Sequence, residues 1–404
     1  MEYFSKIAQG IHRRFRACHY DSDRFPAIAA EALAYAPPHK DLAYTDIIRW
    51  VQQVDCLPEQ LDPRSQFGMP PVTVYHGDHF VIDVYFWPSG ATGIHQHSFD
   101  GAFTLLTGSS LHCSYDFEVD TAYSHKLLGG TLHKKDVEVL QKGVPVEVPV
   151  GTALIHSVFH LDDPTVTVLA RSTRTRPPGP TFDYEGSGLA VDARSSLTRL
   201  QKRQLETLLY AATTDWRLFE ELLVKQFRET DPWHVYLILD AVRTQFSGRR
   251  RSLQRVLDVV HERFPGLTDK MIACFMEDTR RKAFDEAHGA SSCQRTIDAL
   301  AALYMLDSPK EVCWFIRQRD GEQDPAASIL GALEKLNLLP ADGDEALTLA
   351  VLRHALCRDA SAVATPTSRA AGLPSVAGRE REFEQEYKRL ERSSYLRAVF
   401  AGRR

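Results

Sequence analysis

Between residues 69 and 185 the hydrophobic period of this chain changes, and no other feature constrains its fold as strongly. Val72, Val74, Phe80, Ile82, Val84 and Phe86 recur at even spacing, the pattern of strands buried on one face. Turn residues punctuate the runs at Gly77-Asp78, Pro88-Ser89-Gly90, Gly108, Gly129-Gly130, Gly143 and Gly151. Short strands separated by such turns predict an antiparallel sandwich or barrel.

The flanks have a different period. Phe4, Ile7, Ile11 and Phe15 fall on one face of a helix. The segment from Tyr44 to Val54 has the same texture, and Pro58 and Pro63 end it. Residues 1–66 therefore read as a helical segment packing on the barrel, with the barrel over 69–185. The Pro/Gly-rich stretch 176–188 reads as a linker. Over 190–359 helical spacing returns, as in Leu253, Val256 and Val260, with breaks that suggest roughly eight helices of ordinary length. Trp216, Trp233 and Trp314 are expected in the core of those helices. Residues 360–404 read as an Ala/Ser/Thr/Pro-rich linker and a charged C-terminal tail able to form a helix. The predicted fold class is α+β multidomain: a small antiparallel β-barrel with N-terminal helices, then an all-α C-terminal domain.

Composition narrows the function classes. Of 404 residues 44% are hydrophobic and 25% charged, as in a globular protein. A net charge of -5 argues against a nucleic-acid partner. No apolar run approaches the ~20 residues of a membrane helix, and the N-terminus does not read as a secretory signal. Seven cysteines without a CxxC pair predict neither a disulfide framework nor a zinc-finger array. A reduced, cytoplasmic setting is the expectation.

The chemistry concentrates in PSGATGIHQHSFDGAFTLLTGSSLH, residues 88–112. His95 and His97 lie two apart on a predicted strand, so both imidazoles point to one face. His156, in VPVGTALIHSVFHLDD, lies on a second strand able to cross the first. Three neutral imidazoles converging in a barrel would hold a divalent metal with coordination positions to spare. His160 reads as structural or as a neighbour of the ligands. Asp100 is a possible acidic ligand, although strict alternation points it to the other face. His112 is a possible pocket residue. Tyr75, Tyr85 and Tyr115 read as barrel core, with one of them able to reach the pocket. Arg171 could clamp a substrate carboxylate, because its fork matches carboxylate geometry.

These elements resemble a cupin, most closely the cysteine dioxygenase branch of the thiol dioxygenases. The resemblance is carried by HFVIDVYFWPSGATG, IHQH, GAFTLLTGS and GTALIHSVFHLDDPTVTVLA, and covers residues 70–178. It implies a double-stranded β-helix and ferrous iron bound by His95, His97 and His156. It also implies addition of dioxygen to a substrate. His160 matches a histidine of that family which does not bind metal. Where most cupins carry a glutamate, this chain has Gly101 and Ala102, which favours a site of three histidines alone. Ala102 stands where the family's crosslinked cysteine would be, and Thr173 falls about where its tyrosine partner would be. No arginine lies near Tyr75 and His76, and Arg171 replaces a histidine near the site. Iron binding therefore carries over and recognition of cysteine does not.

The function expected is oxidation of a small molecule by dioxygen at a three-histidine Fe(2+) site. Zinc or nickel there would instead support isomerisation or hydrolysis without oxygen. A third reading is a non-catalytic sensor or scaffold acting through the helical domain, which could also form a homodimer or hold a protein partner. No catalytic side chain beyond the ligands is legible.

Overall fold

The computed structural model describes residues 1–61, 68–69, 71–87, 90–173, 179–321, 324–339, 344–356 and 379–401. The linker expected at 360–378 lies outside the described residues. Four N-terminal helices open the chain: α1 (Glu2–Ala17), α2 (Phe25–Tyr35), α3 (Pro38–Asp41) and α4 (Tyr44–Gln53). Eleven strands follow among the described residues. They are β1 (Pro71–His76), β2 (Phe80–Trp87), β3 (Ile94–His97), β4 (Gly101–Thr107), β5 (Ser110–Ser124) and β6 (Leu127–Leu140). The rest are β7 (Val146–Val148), β8 (Gly151–His160), β9 (Thr165–Ser172), β10 (Phe182–Glu185) and β11 (Leu189–Asp192).

One sheet has the order β1-β2-β9-β4-β7, and β10-β11-β6-β5-β8-β3 closes on itself as a barrel. Every pairing between these strands is antiparallel. From β2 to β9 the chain alternates between the two sheets, with the β5–β6 hairpin as one step. That winding is a double-stranded β-helix, the jelly roll found in cupins, and it meets the expected fold class. The β10–β11 hairpin forms within the stretch read as a linker up to residue 188, and the strands run on to Asp192. Phe182 and Tyr184 and all four residues of β11 are buried, so its Pro/Gly-rich texture concealed a buried hairpin.

Alternation sorts the side chains of the first sheet. Phe80, Ile82 and Val84 of β2 and Val166, Val168 and Ala170 of β9 face outward, and Phe4, Ile11, Phe15 and Phe25 of the helices cover them. The intervening residues, Asp83, Tyr85 and Arg171 among them, therefore face the inner side, where they line a cavity. Gly108 turns β4 into β5 at φ +80, and a Cβ there would lie 2.5 Å from Thr165 Oγ1. Only glycine suits that corner.

Ten α-helices follow the strands among the described residues. The first five are α5 (Arg199–Thr214), α6 (Trp216–Glu229), α7 (Pro232–Val242), α8 (Arg250–Arg263) and α9 (Leu267–Gly289). Then come α10 (Gln294–Met305), α11 (Pro309–Asp320), α12 (Pro325–Lys335) and α13 (Glu345–Leu356). The charged tail forms α14 (Glu380–Glu391). Side-chain caps start several of them, for example Asp215 on Leu218 N and Ser308 on Glu311 N. Trp233 is buried, whereas Trp314 is 41% exposed. On α11, Val312, Phe315 and Ile316 turn inward and leave position 314 on the outer face.

The helices do not merely follow the barrel. Leu111, Tyr115, Ile155, Phe159 and Tyr184 of the barrel share one core cluster with Phe284, Leu300, Leu303 and Phe315 of the helices. At the far end of the β5–β6 hairpin, Leu127, Leu189 and Val191 pack into a second cluster with Phe219, Leu239 and Leu267. No described helix is long and apolar enough to cross a membrane.

Candidate functional site

His95 and His156 are register partners across β3 and β8. Directly opposed residues point to the same face. The register shifts between His95 and His97, an irregularity of the kind that re-aims side chains near functional sites. One ring nitrogen from each of His95, His97 and His156 lies within 4.8 Å of the others. His97 Nε2 and His156 Nε2 are 2.8 Å apart.

Hydrogen bonds set the tautomers of two of the three. His95 Nδ1 lies 2.8 Å from the Gly93 carbonyl, which can only accept, so Nδ1 carries the proton and Nε2 the lone pair. His156 Nδ1 lies 2.9 Å from His112 Nε2, and His112 Nδ1 lies 2.9 Å from Glu138 Oε1. The carboxylate accepts from His112 Nδ1–H, His112 Nε2 accepts from His156 Nδ1–H, and the lone pair of His156 is left on Nε2. Strand register builds this relay. Glu138 of β6 is the direct partner of His112 on β5, and Val158, two residues beyond His156, is its partner on β8. Burial, reinforced by the neighbouring rings, pushes the His97 and His156 pKa values well down, and burial also lowers that of His95. Three neutral imidazoles, one buried and two half-buried, with clustered ring nitrogens are a donor set that fits a divalent transition metal.

A relay of this kind orients a ligand and raises its basicity. Glu138→Ala is expected to weaken metal affinity by about 10–100-fold. Glu138→Gln should retain most of it, because the amide oxygen still accepts from His112. A competitive metal titration measures both; equal affinity of wild type and Glu138→Ala would refute the relay.

A cavity of about 760 Å³ opens beside the histidines, within the range of small-molecule sites. His95, His97, Phe99 and Arg171 line it from the barrel. Arg171 Nε donates to Asp83 Oδ2 at 2.7 Å, and its guanidinium lies 5.3 Å from the Phe99 ring centroid. Asp83 also accepts from Thr73 Oγ1 at 2.7 Å. The helical region also lines it, with Arg281 of α9, Tyr304 and Met305 of α10, and Arg397 beyond α14. The Ser157 hydroxyl reaches Met305 Sδ at 3.8 Å, and Tyr115 OH lies 3.3 Å from Ser157 Oγ.

The remaining expected residues separate. His112 is buried in the relay, and His160 is buried with Nδ1 3.1 Å from Ser110 Oγ and its ring stacked on Trp87. Burial pushes the His160 pKa down to about 3. Asp100 lies outside the site: it is buried, and its Oδ1 accepts from Val150 N at 3.1 Å. Tyr75 also lies outside, its ring stacked on Phe80 at 5.3 Å. Tyr85 and Tyr115 do line the cavity. At Gly101 a Cβ would sit 2.5 Å from the Ala170 carbonyl oxygen, so no carboxylate side chain fits there. Sequence reasoning missed Asp83, Glu138 and the helical wall. The signal for Asp83 was a charged residue inside the apolar run FVIDVYFW; for Glu138 there was none without the register.

No protein-family model matches the chain, and no curated protein matches it. Among solved structures, a cupin domain from Bordetella pertussis is 20% identical over 25% of this chain and 88% of its own, at a TM-score of 0.17. Hydroquinone 1,2-dioxygenase from Sphingomonas sp. TTNP3 is 18% identical over 25% of this chain and 64% of its own, at a TM-score of 0.20. An oxalate oxidase is 16% identical over 35% of this chain and 61% of its own, at a TM-score of 0.19. Likenesses at this level carry no weight for this chain's activity, and the strand order stands on its own.

Proposed function

We propose that this protein is a non-haem Fe(II)-dependent oxygenase that oxidises a small molecule other than cysteine at His95, His97 and His156. The observation that carries the reading is the convergence of three neutral imidazoles, His156 buried and His95 and His97 half-buried, of which His95 and His97 line a substrate-sized cavity. Iron held there would supply the one-electron chemistry that dioxygen requires and side chains lack.

The chain's own residues bind and orient. The His112–Glu138 relay keeps the Nε2 lone pair of His156 available. Asp83 fixes the Arg171 fork at the cavity wall, where it would hold an anionic group of the substrate beside His97. Tyr304 and Met305 from α10 line the same cavity and would limit water around the bound substrate.

Oxygen uptake tests the reading. Iron-reconstituted protein, screened against thiols, amino acids and small carboxylic acids, is expected to consume oxygen with at least one of them. Zinc- or nickel-loaded protein should not. Oxygen-independent turnover by the zinc or nickel form would overturn the oxygenase reading. Ligand binding without turnover in any metal form would favour a sensor.

A further inference from the structure

The three histidines also border a second, much smaller cavity, of about 60 Å³, inside the double-stranded β-helix. His95 and His97 line both cavities, whereas His156, Phe103, Leu105 and Val148 line only the smaller one. Its walls are almost wholly apolar.

Several polar atoms at its edge are already engaged. Trp87 Nε1 donates to Thr167 Oγ1 at 3.0 Å. Ser110 Oγ pairs with His160 Nδ1 at 3.1 Å, and Thr92 Oγ1 accepts from Val158 N at 2.9 Å. The Nε2 lone pairs of His95 and His156 are those a bound metal would take. With them engaged, His160 Nε2, which has no hydrogen-bond partner among the described residues, is one acceptor, short of the about two to four polar partners that hold a buried water. The space exceeds the about 10–15 Å³ that a single water needs, but it is far below the about 300–1,000 Å³ of an organic-substrate site. Apolar cavities of this kind stay dry and take up small nonpolar guests such as xenon.

We propose that this chamber holds dioxygen against the three histidines while the organic substrate occupies the larger cavity beside Arg171. The inference rests on the oxygenase reading above and adds to it a division of labour between the two cavities. One co-substrate is held in the apolar interior and the other in the polar cavity.

Dioxygen is paramagnetic, so its residence can be read without iron, substrate or turnover. Zinc-loaded, methyl-labelled protein, which is diamagnetic and redox-inert, is equilibrated with pressurised dioxygen, and methyl relaxation is measured. Relaxation enhancement at Leu105, Val148, Val158 and Leu169 is expected to be several-fold larger than at Ile82 and Val84, which pack on the outer face of the sheet that carries Leu105, Val148 and Leu169. Xenon under pressure is expected to displace the effect at those four residues. Enhancement no greater than at Ile82 and Val84, or enhancement that xenon leaves unchanged, would overturn the chamber. Such a result beside iron-dependent oxygen uptake rejects the chamber and keeps the oxygenase. Dioxygen in the chamber of a protein found to turn over only with zinc rejects the oxygenase, and with it this assignment.

Discussion

Asp83→Ala is expected to destabilise the protein by about 3–5 kcal/mol, the usual effect of removing one partner of a buried ion pair. Asp83 is 2% exposed and accepts from both Arg171 and Thr73 at 2.7 Å. Its loss leaves the guanidinium inside the molecule without that counter-charge. Removing both charges differs in kind, because an apolar replacement of a whole pair is often neutral. The double variant Asp83→Ala/Arg171→Met should therefore recover most of the loss. Urea unfolding of the two single variants and the double variant measures this. A loss below about 1 kcal/mol, the scale of an exposed pair, would contradict the account, as would a double variant no more stable than Asp83→Ala.

Phe284→Ala on α9 is expected to cost about 3–5 kcal/mol, as for other buried aromatic deletions. Phe284 is fully buried and its ring lies 5.3 Å from Tyr304. It belongs to the cluster that continues into Leu111, Ile155 and Phe159 of the barrel. Continuity of that core predicts that strands and helices melt together, with one shifted transition in the variant. Far-ultraviolet circular dichroism monitors the helices, while methyl NMR signals of Ile82, Val84 and Leu105 monitor the strands. Two separate transitions, with only the helical one moved, would show that the helical region folds independently.

The barrel was legible because alternation is a local property. Val72 to Phe86 declared their strands, and the glycines declared the turns. His95, His97 and His156 were legible because alternation puts i and i+2 on one face. Their neighbours were not, since cross-strand register is a long-range property. Nothing local pairs His112 with Glu138, and nothing local seats Arg171 beside Asp83. The β10–β11 hairpin was hidden by its Pro/Gly-rich approach. Asp100 and Tyr75 were candidates by type alone, and the strand geometry turned them elsewhere. The helical wall was least visible. Arg281, Tyr304 and Met305 reach the cavity only because a core shared by barrel and helices brings α9 and α10 against the strands.

Elemental analysis of protein purified without oxygen tests the central claim most directly, with His95→Ala/His97→Ala as its control. The account predicts stoichiometric iron in the wild type and its loss in the double variant. Stoichiometric zinc or nickel would replace oxygenation with Lewis-acid chemistry. A wild type that binds no metal, even after reconstitution with ferrous iron, would contradict the account outright.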